Sequence, residues 1–181
     1  MTLDTLRAVV CVLVALSPGA SVSSATQPAQ SPTLVGNEDR GAKPGWTNVV
    51  PGNHMRQSFT APGSVVTSVA IALVVANKRG DRDRIRIQIY DTNGVLRAES
   101  QRVVTLGDVG WVRFDLPNQG LATSAGEVLV MEVSDTGKVL FGWQYTRDQY
   151  VGGHAWIIDR ECPDLDFLFV INPPEELFRD R

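Results

Sequence analysis

The sequence predicts an all-β fold, an antiparallel β-sandwich of jelly-roll topology with about nine strands. Three observations carry this. In RIRIQIYD, Ile85, Ile87 and Ile89 alternate with Arg84, Arg86, Gln88 and Tyr90, the two-residue period of a strand with one buried face. At least six further segments repeat the pattern between Gly, Asn, Asp and Pro turns. No connection between them is long and amphipathic enough to supply the helical crossover that a parallel sheet requires.

The first 25 residues are set apart as a secretory signal peptide. Arg7 ends a short n-region, Ala8 to Leu16 is apolar, and Ser17-Pro18-Gly19 breaks the run before the small-residue site Ser23-Ser24-Ala25. The apolar run is too short to span a bilayer, and no later run reaches the ~18 residues that spanning needs. The expected address is therefore secreted, extracellular or periplasmic, with no transmembrane segment. Residues 26–51 are rich in Pro, Gly, Ser and Asn and read as a flexible leader and arm, in which Trp46 to Val50 forms a short edge strand. The sandwich is expected over 52–173, with 174–181 as a tail that adds one helical turn or frays. The formal net charge of −3 gives no bulk attraction to nucleic acid. Once the signal is removed only Cys162 remains, so no intramolecular disulfide supports the fold.

Along the chain, His54 to Ala61 places Met55, Gln57 and Phe59 on one face, and Pro62-Gly63 ends it. Thr67 to Ala76 has Val69, Ile71, Leu73 and Val75 on one side and the smaller Ala70, Ala72 and Val74 on the other, the pattern of a strand covered on both faces. The charged loop 77–83 leads into RIRIQIYD, and Asp91-Thr92-Asn93-Gly94 turns into a polar edge strand, Val95 to Val104. Trp111 to Leu116 follows, with Val112, Phe114 and Leu116 inward. Val128 to Val133 is expected to form a hairpin with Val139 to Tyr145 through Asp135-Thr136-Gly137-Lys138. Strands at His154 to Ile158 and Leu165 to Ile171 complete the set.

Gln57-Ser58-Phe59-Thr60-Ala61, Tyr90-Asp91, Trp111 to Leu116, Gly126, Tyr150-Val151-Gly152-Gly153-His154-Ala155 and Asp164-Leu165-Asp166-Phe167 occur in an order that resembles jelly-roll domains of secreted bacterial proteins, of the galactose-binding-like and carbohydrate-binding-module kinds. The resemblance covers about residues 54–172. It implies the fold, and with it sugar binding, calcium-stabilised structure, adhesion or protein contact.

Sugar recognition uses flat rings beside amides and carboxylates. Trp143, Tyr145, Tyr150 and Trp156 lie close together in sequence, with Gln144, Arg147 and Asp148 among them as hydrogen-bonding partners. Phe141, Trp143 and Tyr145 share one strand face, which is a platform if it meets solvent and core if it meets the opposite sheet. Trp111 and Tyr90 fall on the polar registers of their strands and form a second, surface platform. A structural calcium is the cofactor this fold admits; Asp148, Asp164 and Asp166 are its candidate ligands, although no calcium-loop spacing is present. His54 and His154 are the only histidines, and neither lies in a zinc spacing or beside a nucleophile motif. The expected function is non-catalytic binding of carbohydrate or a cell-envelope polymer. The alternative is a structural, adhesion or protein-interaction module, and a hydrolase ranks third. Lys78, Arg79, Arg82, Arg84 and Arg86 form a basic patch, which Asp81 and Asp83 are expected to neutralise in part.

Overall fold

Alternation decides which side of each strand is buried, and the two buried sides meet. The computed structural model describes residues 35–37, 44–77, 80–135, 140–147 and 150–179; the signal peptide expected at 1–25 lies outside them. Their strands are β1 (Val35–Asn37), β2 (Gly45–Asn48), β3 (Met55–Pro62), β4 (Val65–Val66), β5 (Ser68–Val75), β6 (Arg82–Asp91), β7 (Leu96–Thr105), β8 (Gly110–Asp115), β9 (Leu121–Ala122), β10 (Ala125–Asp135), β11 (Phe141–Arg147), β12 (Ala155–Ile157), β13 (Arg160–Cys162), β14 (Leu165–Phe167) and β15 (Phe169–Ile171). Sheet I runs β1-β15-β5-β11-β14, with β8 on β5 and β2 on β11; sheet II runs β13-β12-β3-β10-β6-β7; β4 and β9 pair separately. The pairings are antiparallel. The fold is an all-β antiparallel sandwich. Among the described residues no helix is long and apolar enough to cross a membrane.

Sheet I sends Val69, Ile71, Leu73, Val112, Phe114, Phe141 and Trp143 inward. Sheet II answers with Met55, Phe59, Ile85, Ile87, Ile89, Leu129, Met131 and Val133, and all are buried in one core. Each such side chain contributes roughly 1.5–3 kcal/mol over its exposed state. Phe59 and Phe169 bridge the layers with centroids 6.0 Å apart.

Strand β5 is covered on both faces, as its large/small alternation predicts. Ala70 and Ala72 face away from the main core into a second cluster with Trp111, Leu168 and Val170. The C-terminal 3₁₀ turn, Glu175–Phe178, closes it by laying Leu177 and Phe178 on top. Trp111 is thus 6% exposed rather than at the surface. Its polar register does point away from the core, but alanines opposite leave room for the indole and the tail shields it.

Three further departures from the sequence expectation have physical causes. Strands β10 and β11 do not form a hairpin: β10 pairs with β3 and β6, β11 with β2, β5 and β14, so the chain changes sheets between them. The last strand is broken at Leu168, whose N–H donates to the Gln144 carbonyl and whose carbonyl accepts from Ala72 N–H and Trp143 Nε1. Residues 165–167 consequently pair with β11 and 169–171 with β5. The stretch expected as a flexible leader and arm supplies β1 to sheet I in addition to the expected edge strand near Trp46, which is β2, and it buries Val49 completely. The β6–β7 hairpin does form as expected, with Asp91 Oδ1 accepting from the N–H groups of Asn93 and Val95 at 2.9 Å each.

A polar lock also crosses the core. Gln57 Nε2 donates to Asp166 Oδ1 (3.1 Å), and Gln57 Oε1 accepts from Phe167 N–H (2.9 Å). Asp166 Oδ2 accepts from Tyr150 N–H at 2.8 Å, and the Tyr150 hydroxyl accepts from Thr60 N–H at 3.0 Å. Gly153 lies so close to β3 that a Cβ there would overlap the Ser58 carbonyl. Loop 150–154 is therefore fastened to β3. Burial raises the Tyr150 phenol above its ordinary 10.0, outweighing the opposing hydrogen bonds from Thr60. The folded state thus favours the protonated ring. That contribution is complete below the unfolded pKa of about 10 and is lost as pH rises through the higher folded value. Thermal melts across this range should show an alkaline loss of stability that is smaller in Tyr150→Phe; an unchanged alkaline limb would contradict this origin.

Candidate functional site

The outer side of sheet II carries the polar residues that alternate with its core. The registers align Glu161, Trp156, Arg56, Glu132, Gln88 and Glu99 in one row across all six strands. Ser58, Val130 and Tyr90 align in the adjacent row. Ala155, the neighbour of Trp156, is buried, so alternation turns the indole outward, where it is half-exposed with its edge near His154 (centroids 6.3 Å).

Glu132 is the centre of this face. It interrupts the apolar run of β10 and is 7% exposed. Arg56 Nε donates to its Oε2 at 2.8 Å, and His54 Nδ1 lies 3.0 Å from Oε1. Arg56 also reaches Asp159 at 3.2 Å. A buried carboxylate is tolerated when paired in this way. The arrangement opens into a cleft of about 360 Å³ lined by His54, Arg56, Tyr90, Asp91, Val130 and Glu132 among others. Burial and then the charge of Glu132 raise the Tyr90 phenol above its ordinary value, so its hydroxyl remains a donor through neutral and mildly alkaline pH. Gln88 Nε2 donates to Glu99 Oε2 at 2.8 Å and extends the polar row to the edge strand.

The chemistry available here is a guanidinium donor, fixed carboxylate acceptors, a phenol and two ring surfaces. Trp156 and Tyr90 are three strands apart, about 14 Å, with a further offset of about 7 Å along the strands. That span suits an extended ligand more than a single small molecule.

The nine residues expected to bind ligand divide sharply. Tyr90 and Trp156 lie half-exposed on this one face. Trp143 is fully buried, stacked on Phe167 with centroids 4.0 Å apart, because its strand face meets sheet II; it is core and not a platform. Tyr145 is half-buried with its ring edge-on to Phe167, and Gln144 is buried on the other side of β11. Tyr150 belongs to the polar lock, its ring edge-on to Phe169. Trp111 is enclosed under the C-terminal turn. Arg147 is exposed at the end of β11, away from the row, and Asp148 lies outside the described residues.

Of the expected calcium ligands, Asp164 is exposed, and Asp166 is fully buried with both oxygens accepting protein hydrogen bonds. Among the described residues no group of three or more His, Cys, Asp or Glu side chains gathers at metal-binding distance. Cys162 is half-exposed on edge strand β13. Sequence reasoning missed the roles of His54, Arg56 and Glu132. A signal for Glu132 was present, a lone carboxylate at an outward position of an apolar strand. No protein-family model and no curated protein matches the sequence.

Proposed function

We propose that the protein is an exported, non-catalytic jelly-roll module that binds a glycan of the cell envelope on the outer face of sheet II. The observation that carries this reading is the row in which Trp156, Arg56, Glu132 and Gln88 face outward together beside Tyr90. Flat rings meet sugar C–H faces, while Arg56, Glu132 and the Tyr90 hydroxyl meet hydroxyl groups.

Calorimetric titration against a panel of neutral and acidic glycans tests it. Trp156→Ala and Tyr90→Ala are each expected to weaken binding about tenfold, the loss of a 1–2 kcal/mol stacking contact. Both side chains are half-exposed, so the melting temperature should change little. Binding that survives both substitutions, or no glycan binding by the native chain, would remove this reading.

A protein-contact module is the second reading. It is favoured by the exposed aliphatics Val95, Leu96, Val103 and Leu106 along and beside edge strand β7. Ser100 Oγ and Arg102 tie that strand to the carbonyls of Asp115 and Arg113 on β8, which guards the flank against strand addition.

A further inference from the structure

The hairpin of β12 and β13 turns on two residues that a tight turn seldom takes. Ile157 and Arg160 close the ladder, so Ile158 and Asp159 are the whole turn, and both have left-handed backbone, with φ of 50° and 59°. Turns of this kind favour Asn-Gly, because a side chain crowds the neighbouring carbonyl there, and one branched at Cβ does so most. Ile158 is also 60% exposed, so burial in the core offsets little of that strain. Asp159 ties the turn to the sheet, its Oδ1 lying 3.2 Å from Arg56 Nη1. The chain thus holds an aliphatic side chain in a strained, exposed position at the end of the row that contains Trp156, Arg56 and Glu132.

We infer that Ile158 is a ligand contact and that the glycan of this face is N-acetylated, with one sugar seated on Trp156 and its acetyl methyl group against Ile158. This rests on the glycan-binding reading above and specifies its substrate class. An acetamido group joins a methyl, an N–H donor and a carbonyl acceptor, and the surroundings of Trp156 supply a partner for each. Ile158 follows Trp156 by two residues, no more than about 7 Å along the backbone. The cross-strand neighbours of Trp156 are Glu161 on one side, an exposed carboxylate 3.8 Å from His154 Nδ1, and Arg56 on the other, a half-buried guanidinium. The first accepts from an amide N–H and the second donates to an amide carbonyl. A plain hexose offers hydroxyls to the same polar groups but leaves Ile158 facing water.

The test titrates the full chain with chitotetraose and with cellotetraose, β-1,4-linked tetramers that differ only in the acetamido group. Chitotetraose should bind at least about fourfold more tightly, the effect of burying one methyl group. Ile158→Asn should remove most of that preference and leave cellotetraose binding unchanged. The same substitution should raise the melting temperature by about 2–4 °C, because asparagine adopts the left-handed turn that isoleucine resists. Lost binding together with gained stability separates a ligand contact from a packing residue. Equal affinity for the two tetramers, undiminished chitotetraose binding by Ile158→Asn, or a lowered melting temperature in that variant overturns the proposal while the glycan reading stands. Binding of other glycans but of neither tetramer does the same. Attachment to phosphatidylcholine vesicles that depends on Ile158, in place of chitotetraose binding, also overturns it. Absence of binding to every glycan removes both.

Discussion

Trp143→Ala is expected to destabilise the domain by about 3–5 kcal/mol, the cost of removing a fully buried tryptophan. The indole stacks on Phe167 with an interplanar angle of 14°, and its Nε1 donates to the Leu168 carbonyl at 2.9 Å. The substitution therefore opens a cavity between the sheets and unties the carbonyl at the break between β14 and β15. Because domains of this size are stable by only about 5–15 kcal/mol, much of the population should be unfolded well below the native melting temperature. Denaturant titration measures the loss directly. The contrast with Trp156→Ala is the informative part: one tryptophan should control stability and the other binding. A Trp143→Ala chain that melts like the native one but fails to bind glycan would reverse the assignment of the two faces.

Asp166→Ala should cost about 2–4 kcal/mol, because it leaves two donors without an acceptor, the Tyr150 N–H and one proton of Gln57 Nε2. Gln57 retains its bond to the Ser58 carbonyl at 3.1 Å, which limits the damage on that side. Asp166→Asn should recover only part of the loss. An amide can present an acceptor to Gln57 or to Tyr150, but its NH₂ group then faces the other donor. Urea titration of the three chains should rank them native, Asn, Ala. An Ala variant within about 0.5 kcal/mol of native would place that side chain outside the stabilising network.

Most of the fold was legible because alternation is strict where one face is buried. Ile85, Ile87 and Ile89 are fully buried, as are Val112, Met131 and Val133 on strands with the same period. The Asp91 to Gly94 turn carried its own chemistry and gave the β6–β7 hairpin. The β10–β11 crossing was not legible, since a Gly-containing turn serves a hairpin and a change of sheet equally well. Nor could period alone say which side of β11 meets the other sheet, so Trp143 stayed among the candidate platform residues although the size of its ring favoured core. Trp111 depended on Leu177 and Phe178, residues distant in the chain that cover it. The candidate site was half visible. Tyr90 and Trp156 were named, but their alignment with Arg56 and Glu132 depends on strand register, which joins residues as far apart as 56 and 132.

The outward arginines of β6 guard the assembly of sheet II. A slip of one residue in the pairing of this strand would exchange every inward and outward side chain. Three isoleucines would move into water, and Arg84, Arg86 and Gln88 would enter the core, where unpaired charge is not tolerated. An ordinary polar strand that slips loses only apolar contacts. Here the misaligned state is also penalised by the desolvation of guanidinium groups, so the outward arginines make wrong registers of β6 inaccessible as the chain folds.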